Sequence, residues 1–207
     1  MEQKKTQKTF LLVVVCIIVV VLVVFLGKTN STPQAPVSEN TTLGIQVTAA
    51  PWIAEIAHLK ERLASIGLPA LPEEGTTLHI HQHLDIFVHG KPVAVSPGIG
   101  INEQDRFIAP IHTHDASNVI HVESPTVQDF TLGQFFDIWG VQFTANAIGG
   151  YTSDATNTLT VFVNGKEFAG DPRTLILAPH QEIVVTFGTK AEIPNPVPSS
   201  YTFSDGE

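Results

Sequence analysis

The stretch TLHIHQHLDIFVHG, residues 77–90, decides the fold. Apolar and polar residues alternate along it, which is the pattern of a β-strand with one face in the core. Because side chains alternate between the two faces of a strand, burying the aliphatic face also sets the direction of the histidines. The aliphatic face comprises Leu78, Ile80, Leu84, Ile86 and Val88, and the polar face comprises His79, His81, His83, Asp85 and His89.

Further strands are predicted after this stretch. Residues 91–95 pair back on it, and residues 108–124 form a hairpin with two β-rich arms. The Asn-Gly pair inside residues 158–168 is a strong hairpin signal. Residues 182–188, EIVVTFG, form a closing strand. No regular alternation of strand and helix occurs, so the sheet is expected to be mostly antiparallel.

Two segments have the pattern of helices. In residues 51–67 apolar residues recur at a near-helical period, which predicts an amphipathic helix packed on the sheet. Thr131 is a candidate N-cap for a short aromatic-rich helix that ends at Gly140. The class is therefore α+β, a mostly antiparallel β domain with two short helices.

The N-terminus predicts a membrane anchor. Residues 10–26 are 17 consecutive apolar residues with no polar face, about the length that crosses a bilayer core when flanking residues are added. We expect one transmembrane helix over residues 10–27 that is not cleaved. Lysines at positions 4, 5 and 8 place residues 1–9 in the cytoplasm, which makes a single-pass cytoplasmic membrane protein with an extracytoplasmic C-terminal domain.

Composition divides the remaining chain into three parts. Residues 28–49 are rich in Ser, Thr, Asn and Pro and predict a flexible stalk. Residues 50–188 are long enough for one domain with its own core. Residues 189–207 contain several prolines and no apolar periodicity, which predicts a disordered tail.

Charge and sulfur content exclude several functions. The net charge is −9, and because residues 1–27 are net positive, the rest of the chain is more acidic still. An acidic domain without a basic patch is not expected to bind nucleic acid. Cys16, the only cysteine, lies in the anchor, and Met1 is the only methionine, so a blue-copper site is excluded and a dedicated Cu(I) carrier is disfavoured.

Histidines are concentrated around the fold-determining strand. Seven of the nine lie between residues 79 and 121. Alternate residues on one face of a strand are about 6.5–7 Å apart, so the imidazoles of an H-x-H pair can converge on one ion. Such pairs occur twice, and a further histidine lies on the second arm of the predicted hairpin. The candidate ligands for a divalent transition metal, Zn or Cu(II) foremost, are His79, His81, His83, His112, His114 and His121.

The carboxylates near these histidines are expected to have different roles. Glu123 is the best candidate ligand because it shares strand parity with His121. Asp85 and Asp115 are better suited to hydrogen-bonding a ligand or capping a turn. The histidine set is expected to converge on one side of the sheet, whereas His58, His89 and His180 are expected to have structural or solvent-facing roles.

Other functions remain open beside simple metal binding. In a metal-dependent hydrolase or hydratase, three histidines would hold Zn and Glu123 or Asp115 would be the base. A non-haem iron triad of His83, Asp85 and a distant histidine is disfavoured because an exported domain lacks cytosolic cosubstrates. A non-catalytic interaction module would become cationic below about pH 6.5, where histidines take up protons. No protein partner is indicated.

Several of these strings resemble a family of exported, membrane-anchored, histidine-rich prokaryotic proteins. They are HIHQHLDIFVHGKPV, IHTHDASNVIHVES, DFTLGQFFDIWG, and VFVNGKE with HQEIVVTFG, and they span roughly residues 77–188. Members of that family commonly have Gly at the position of Asn118, which implies a positive φ there. The resemblance implies export and a histidine site, and it names no reaction.

Overall fold

The computed structural model describes residues 43–204. The expected anchor over residues 10–27, the cytoplasmic residues 1–9 and most of the expected stalk lie outside this range. Within residues 43–204, no helix combines the length and the apolar character needed to cross a bilayer.

The described residues contain two α-helices, two short 3-10 helices and twelve strands. The helices are α1 (Leu59–Ser65), α2 (Leu132–Trp139), η1 (Pro172–Thr174) and η2 (Lys190–Glu192). The strands are β1 (Leu78–Val88), β2 (Lys91–Val93), β3 (Ile101–Asn102), β4 (Phe107–Ile108), β5 (Ile111–His112), β6 (Val119–Ser124), β7 (Phe143–Thr144), β8 (Ala147–Ile148), β9 (Tyr151–Thr152), β10 (Thr158–Val163), β11 (Lys166–Glu167) and β12 (Glu182–Gly188).

The strand β1 lies at the centre of a seven-stranded sheet. The order is β11-β10-β12-β1-β6-β5, and β2 also pairs with β1. All pairings are antiparallel except that of β1 with β12. The expected α+β class with a mostly antiparallel sheet and two α-helices is therefore confirmed.

The core is formed by the aliphatic face of β1 and the aromatic face of α2. Leu84 and Ile86 are almost fully buried, as are Phe135, Phe136 and Trp139. The Thr131 hydroxyl accepts a hydrogen bond from the Gln134 backbone N–H, and the Gln134 side-chain oxygen accepts one from the Thr131 backbone N–H. This reciprocal capping starts α2 at the residue expected from the sequence, and Gly140, with φ of 75°, ends it.

The first helix is shorter than expected, because α1 begins only at Leu59. The preceding residues form hydrogen bonds that a helix does not provide: the Trp52 indole donates to the Thr48 carbonyl, and the Gln46 side chain bonds the backbone of Ile53. The buried guanidinium of Arg62 binds Glu55. These tertiary contacts override the local helical period over residues 51–58.

The segment after β12, for which the sequence predicts disorder, contacts the domain as far as Phe203. The Tyr201 ring stacks on His83, with ring centroids 3.9 Å apart and planes at 4°. Phe203 stacks on His180 at 4.8 Å. These contacts join the segment to aromatic rings distant in the chain, and its proline-rich composition gives no sign of them.

Candidate metal centre

Strand register brings histidines from three strands into one row. His121 on β6 is opposite His81 on β1, and it is also opposite His112 on β5. Two residues before His81 on β1, His79 is opposite Glu123 on β6. Residues directly opposite in an antiparallel pair point to the same face, so the row brings imidazoles and a carboxylate together.

The first group of potential ligands contains His79, His81, His121 and Glu123, whose donor atoms lie within 4.8 Å of one another. The Nε2 atoms of His79 and His81 are 3.1 Å apart. Oε1 of Glu123 lies 3.3 Å from Nε2 of His79 and 3.3 Å from Nδ1 of His121. Ligands of a tetrahedral zinc lie about 3.4 Å from one another, so this spacing suits one ion.

The second group contains His112, His114, His121 and Glu123. The Nε2 atoms of His112 and His114 are 3.2 Å apart. Glu74 approaches this pair from the loop before β1, with Oε1 3.4 Å from Nε2 of His114 and 4.0 Å from Nε2 of His112. The two groups share His121 and Glu123, and each adds its own H-x-H pair.

His112 is the inner member of the second pair. Its side chain is fully buried, and its Nδ1 lies 3.0 Å from the Ala109 carbonyl oxygen. A carbonyl only accepts, so Nδ1 donates and Nε2 keeps its lone pair for an ion. Burial lowers the His112 pKa to about 3, with the neighbouring histidines adding to that effect and the Ala109 hydrogen bond opposing it. The imidazole is therefore neutral at pH 7, as a ligand must be.

Glu123 is the carboxylate common to both groups. Its side chain is 6% exposed, and its ion-pair contacts are with His79, His112 and His121. The Glu123 pKa is raised to about 7, chiefly by burial and additionally by the charge of Glu74 and a hydrogen bond with Glu74. A cation placed between these carboxylates would favour their charged forms and so lower the Glu123 pKa again.

His83 belongs to a separate group with Asp85 and Glu182. Its Nδ1 lies 2.8 Å from Oε2 of Glu182, the first residue of β12, and its ring is covered by Tyr201. The structure thus brings together five of the six histidines that the sequence singles out, and it pairs the sixth with a carboxylate from the parallel strand.

The remaining candidates lie outside these groups. Asp115 caps its turn, since its Oδ1 accepts a hydrogen bond from the Ser117 backbone, and hydrogen bonds from Ser117 lower its pKa. His58 precedes α1 and contacts Glu55. His89 contacts Glu192, and His180 stacks on Phe203.

Sequence reasoning missed two carboxylates. Glu74 lies in a loop without a strand or helix periodicity, so no local sequence signal identifies it as a candidate ligand. Glu182 is the first residue of β12, a strand that the sequence does predict. Its contact with His83, however, depends on the parallel register of β1 and β12.

A cleft of about 1050 Å³ opens beside the second group. His114 forms part of its wall, together with Ala57, Gly98 and Ile101. Asn102, Glu103, Gln104 and Asp105 give the cleft a polar and acidic side. A molecule in this cleft would therefore reach the exposed edge of the histidine groups.

Comparison of the chain with protein-family models, with curated proteins and with solved structures finds no match.

Proposed function

We propose that this protein binds a divalent transition metal through the histidines of β1, β5 and β6, the segment following β5, and Glu123. The observation that carries the proposal is the spacing of the Nε2 atoms, 3.1 Å in one H-x-H pair and 3.2 Å in the other, with Oε1 of Glu123 beside both pairs. Such spacing between imidazole nitrogens matches neighbouring ligands on one ion.

The donor set favours Zn(II) or Cu(II). Imidazole nitrogen and carboxylate oxygen suit both ions, and both bind such sites more tightly than Mn(II) or Fe(II) do. Sulfur does not contribute, because the chain's single cysteine is residue 16, in the apolar N-terminal run. The site is closed on one side by the buried His112. It is open to solvent on the other side, where His79 and His114 are half-exposed.

Metal titration of the purified full-length chain tests this proposal. After chelator treatment, Zn(II) at 100 times its Kd should raise the free energy of unfolding by about 2.7 kcal/mol, because the ion binds only the folded state. His121→Gln removes the imidazole common to both groups and should weaken binding at least tenfold. His89→Asn is the matched control, since residue 89 has positive φ, which Asn tolerates. A wild-type chain that stays metal-free would contradict the proposal.

The proposed location is the outer side of a cytoplasmic membrane, with residues 10–27 as the anchor. The apolar run, the preceding lysines and the family resemblance support it. When the chain is produced in a bacterium, it should resist extraction from membranes by alkaline carbonate. Protease added to intact spheroplasts should digest the histidine domain. Digestion only after lysis would exclude this orientation.

Metal-dependent hydrolysis is the second candidate, and the cleft beside His114 favours it. A bound metal would supply an activated water, and the cleft would hold the substrate. Ala57 is exposed and lines the cleft, so Ala57→Trp should obstruct it without changing metal content. The test is turnover of chromogenic esters and phosphoesters by the metal-loaded chain. Activity that is lost both with chelator and in A57W supports metal-dependent hydrolysis in this cleft. Activity unaffected by A57W excludes the cleft as the substrate site.

A further inference from the structure

The histidine groups contain more ligands than one ion can use. Five imidazoles and two carboxylates lie in contact, whereas a tetrahedral ion takes four ligands. The two H-x-H pairs do not fall in one group: His79 and His81 belong to the first, and His112 and His114 belong to the second. A single ion would leave one closely spaced pair of imidazoles without a role.

Glu123 lies between the two pairs. Its Oε1 is 3.3 Å from Nε2 of His79 in the first pair and 4.0 Å from Nε2 of His112 in the second. A carboxylate in this position can bridge two ions. Its side chain is buried, so water does not compete for these oxygens as it would at the surface.

His121 and Glu74 complete the two ligand sets. The His121 ring is 4.5 Å from that of His81 and 4.5 Å from that of His114, so it lies between the pairs. Glu74 contacts the second pair, through His114 and His112, and it also hydrogen-bonds Glu123. With Glu123 counted for both ions, His121 completes the first set and Glu74 the second, which satisfies two tetrahedral ions.

We propose that the centre is dinuclear, with the Glu123 carboxylate bridging two divalent transition-metal ions. The first ion is held by His79, His81, His121 and Glu123, and the second by His112, His114, Glu74 and Glu123. This inference rests on the proposed metal-binding function and adds the number of ions and the bridge. Two ions held a few ångströms apart can both polarise one bound anion or water.

Stoichiometry and magnetic coupling test the bridge in the full-length chain. Elemental analysis after Cu(II) loading should give two ions per chain, and their spin coupling should reduce the integrated EPR signal below that of two isolated ions. His79→Gln should lose the first ion, and His114→Gln combined with Glu74→Gln should lose the second. Each variant should retain one ion with the full EPR intensity of an isolated Cu(II).

Two further variants separate the bridge from other arrangements. Glu123→Gln should weaken both ions, because the neutral amide does not bridge, while His83→Gln should leave the count at two. One ion in the wild-type chain would overturn the dinuclear centre and leave the proposed function intact, whereas no ion would overturn both. The bridge would also be overturned if the wild-type chain bound two uncoupled ions that E123Q left unaffected. Loss of one ion in H83Q would overturn it as well.

Discussion

His81 on β1 and His121 on β6 are direct partners in the antiparallel register, and their ring centroids lie 4.5 Å apart. A slip of one residue would place a residue of the core face, Ile80 or Gln82, opposite His121. It would also expose the aliphatic face of β1, whose Leu84 and Ile86 are almost fully buried. Burial of that face therefore enforces the pairing that assembles the histidine site.

Glu123→Gln should stabilise the metal-free protein at pH 8 and have a smaller effect at pH 5. The Glu123 pKa is raised to about 7 in the folded state, so above pH 7 folding keeps a charged carboxyl where burial disfavours it. Below pH 4.5, the ordinary pKa of this carboxyl, it is protonated in both the folded and the unfolded state. The free-energy penalty for burying its charge then disappears. The measurement is Tm in chelator at both pH values. The same increase at both values would contradict the assigned cause.

With metal present, the same substitution should act in the opposite direction. Glu123→Gln removes a charged ligand, so it should reduce the rise in Tm that Zn(II) produces at pH 8. Glu61→Gln changes one exposed carboxylate on α1 and serves as the charge-matched control. A metal-induced rise in Tm that E123Q leaves unchanged would exclude Glu123 as a ligand.

Tyr201→Ala should move the His83 ring-proton resonances downfield. The two rings are stacked at 3.9 Å, so the aromatic current of Tyr201 shields protons on the imidazole. The lost stacking should also cost about 0.5–1.5 kcal/mol of unfolding free energy. Tyr201→Phe keeps the ring and should leave the resonances near their wild-type positions. Unchanged shifts in Y201A, measured by NMR on the metal-free chain, would mean that the segment does not cover His83 in solution.

Asn118→Ala should be more destabilising than Asn118→Gly. Asn118 has φ of 65°, and its side-chain oxygen accepts a hydrogen bond from the Val95 backbone. Both substitutions lose that hydrogen bond, and only alanine is also strained by the left-handed conformation. The difference between the two variants should be about 1–2 kcal/mol in a denaturant titration. Equal losses of stability in the two variants would mean that the lost hydrogen bond accounts for the whole effect.

Thr131→Ala should destabilise the protein by about 1 kcal/mol, because α2 loses the acceptor for the Gln134 backbone N–H. Thr131→Ser keeps a hydroxyl at the same position and should recover most of that loss. Chemical denaturation of the three chains measures both values. A serine variant as unstable as the alanine variant would mean that packing of the Thr131 methyl group, and not capping, is responsible.

Local patterns in the sequence identified much of this fold. The alternation in residues 77–90 predicted β1, and the Asn164-Gly165 turn predicted the hairpin of β10 and β11, where both residues have positive φ. Turns, caps and strand alternation depend on neighbours a few residues apart, so a single sequence contains their cause. The same alternation placed the histidines opposite the core face of β1.

Tertiary structure alone decided which histidines meet. The sequence grouped six of them, but the position of each strand in the sheet separates His83, because β12 brings Glu182 to it from 99 residues away. Glu74 reaches His114 from a loop without a pattern, and Tyr201 covers His83 from a segment expected to be disordered. These contacts depend on packing between distant parts of the chain, and packing is decided by shape and burial over the whole domain, which no local period encodes.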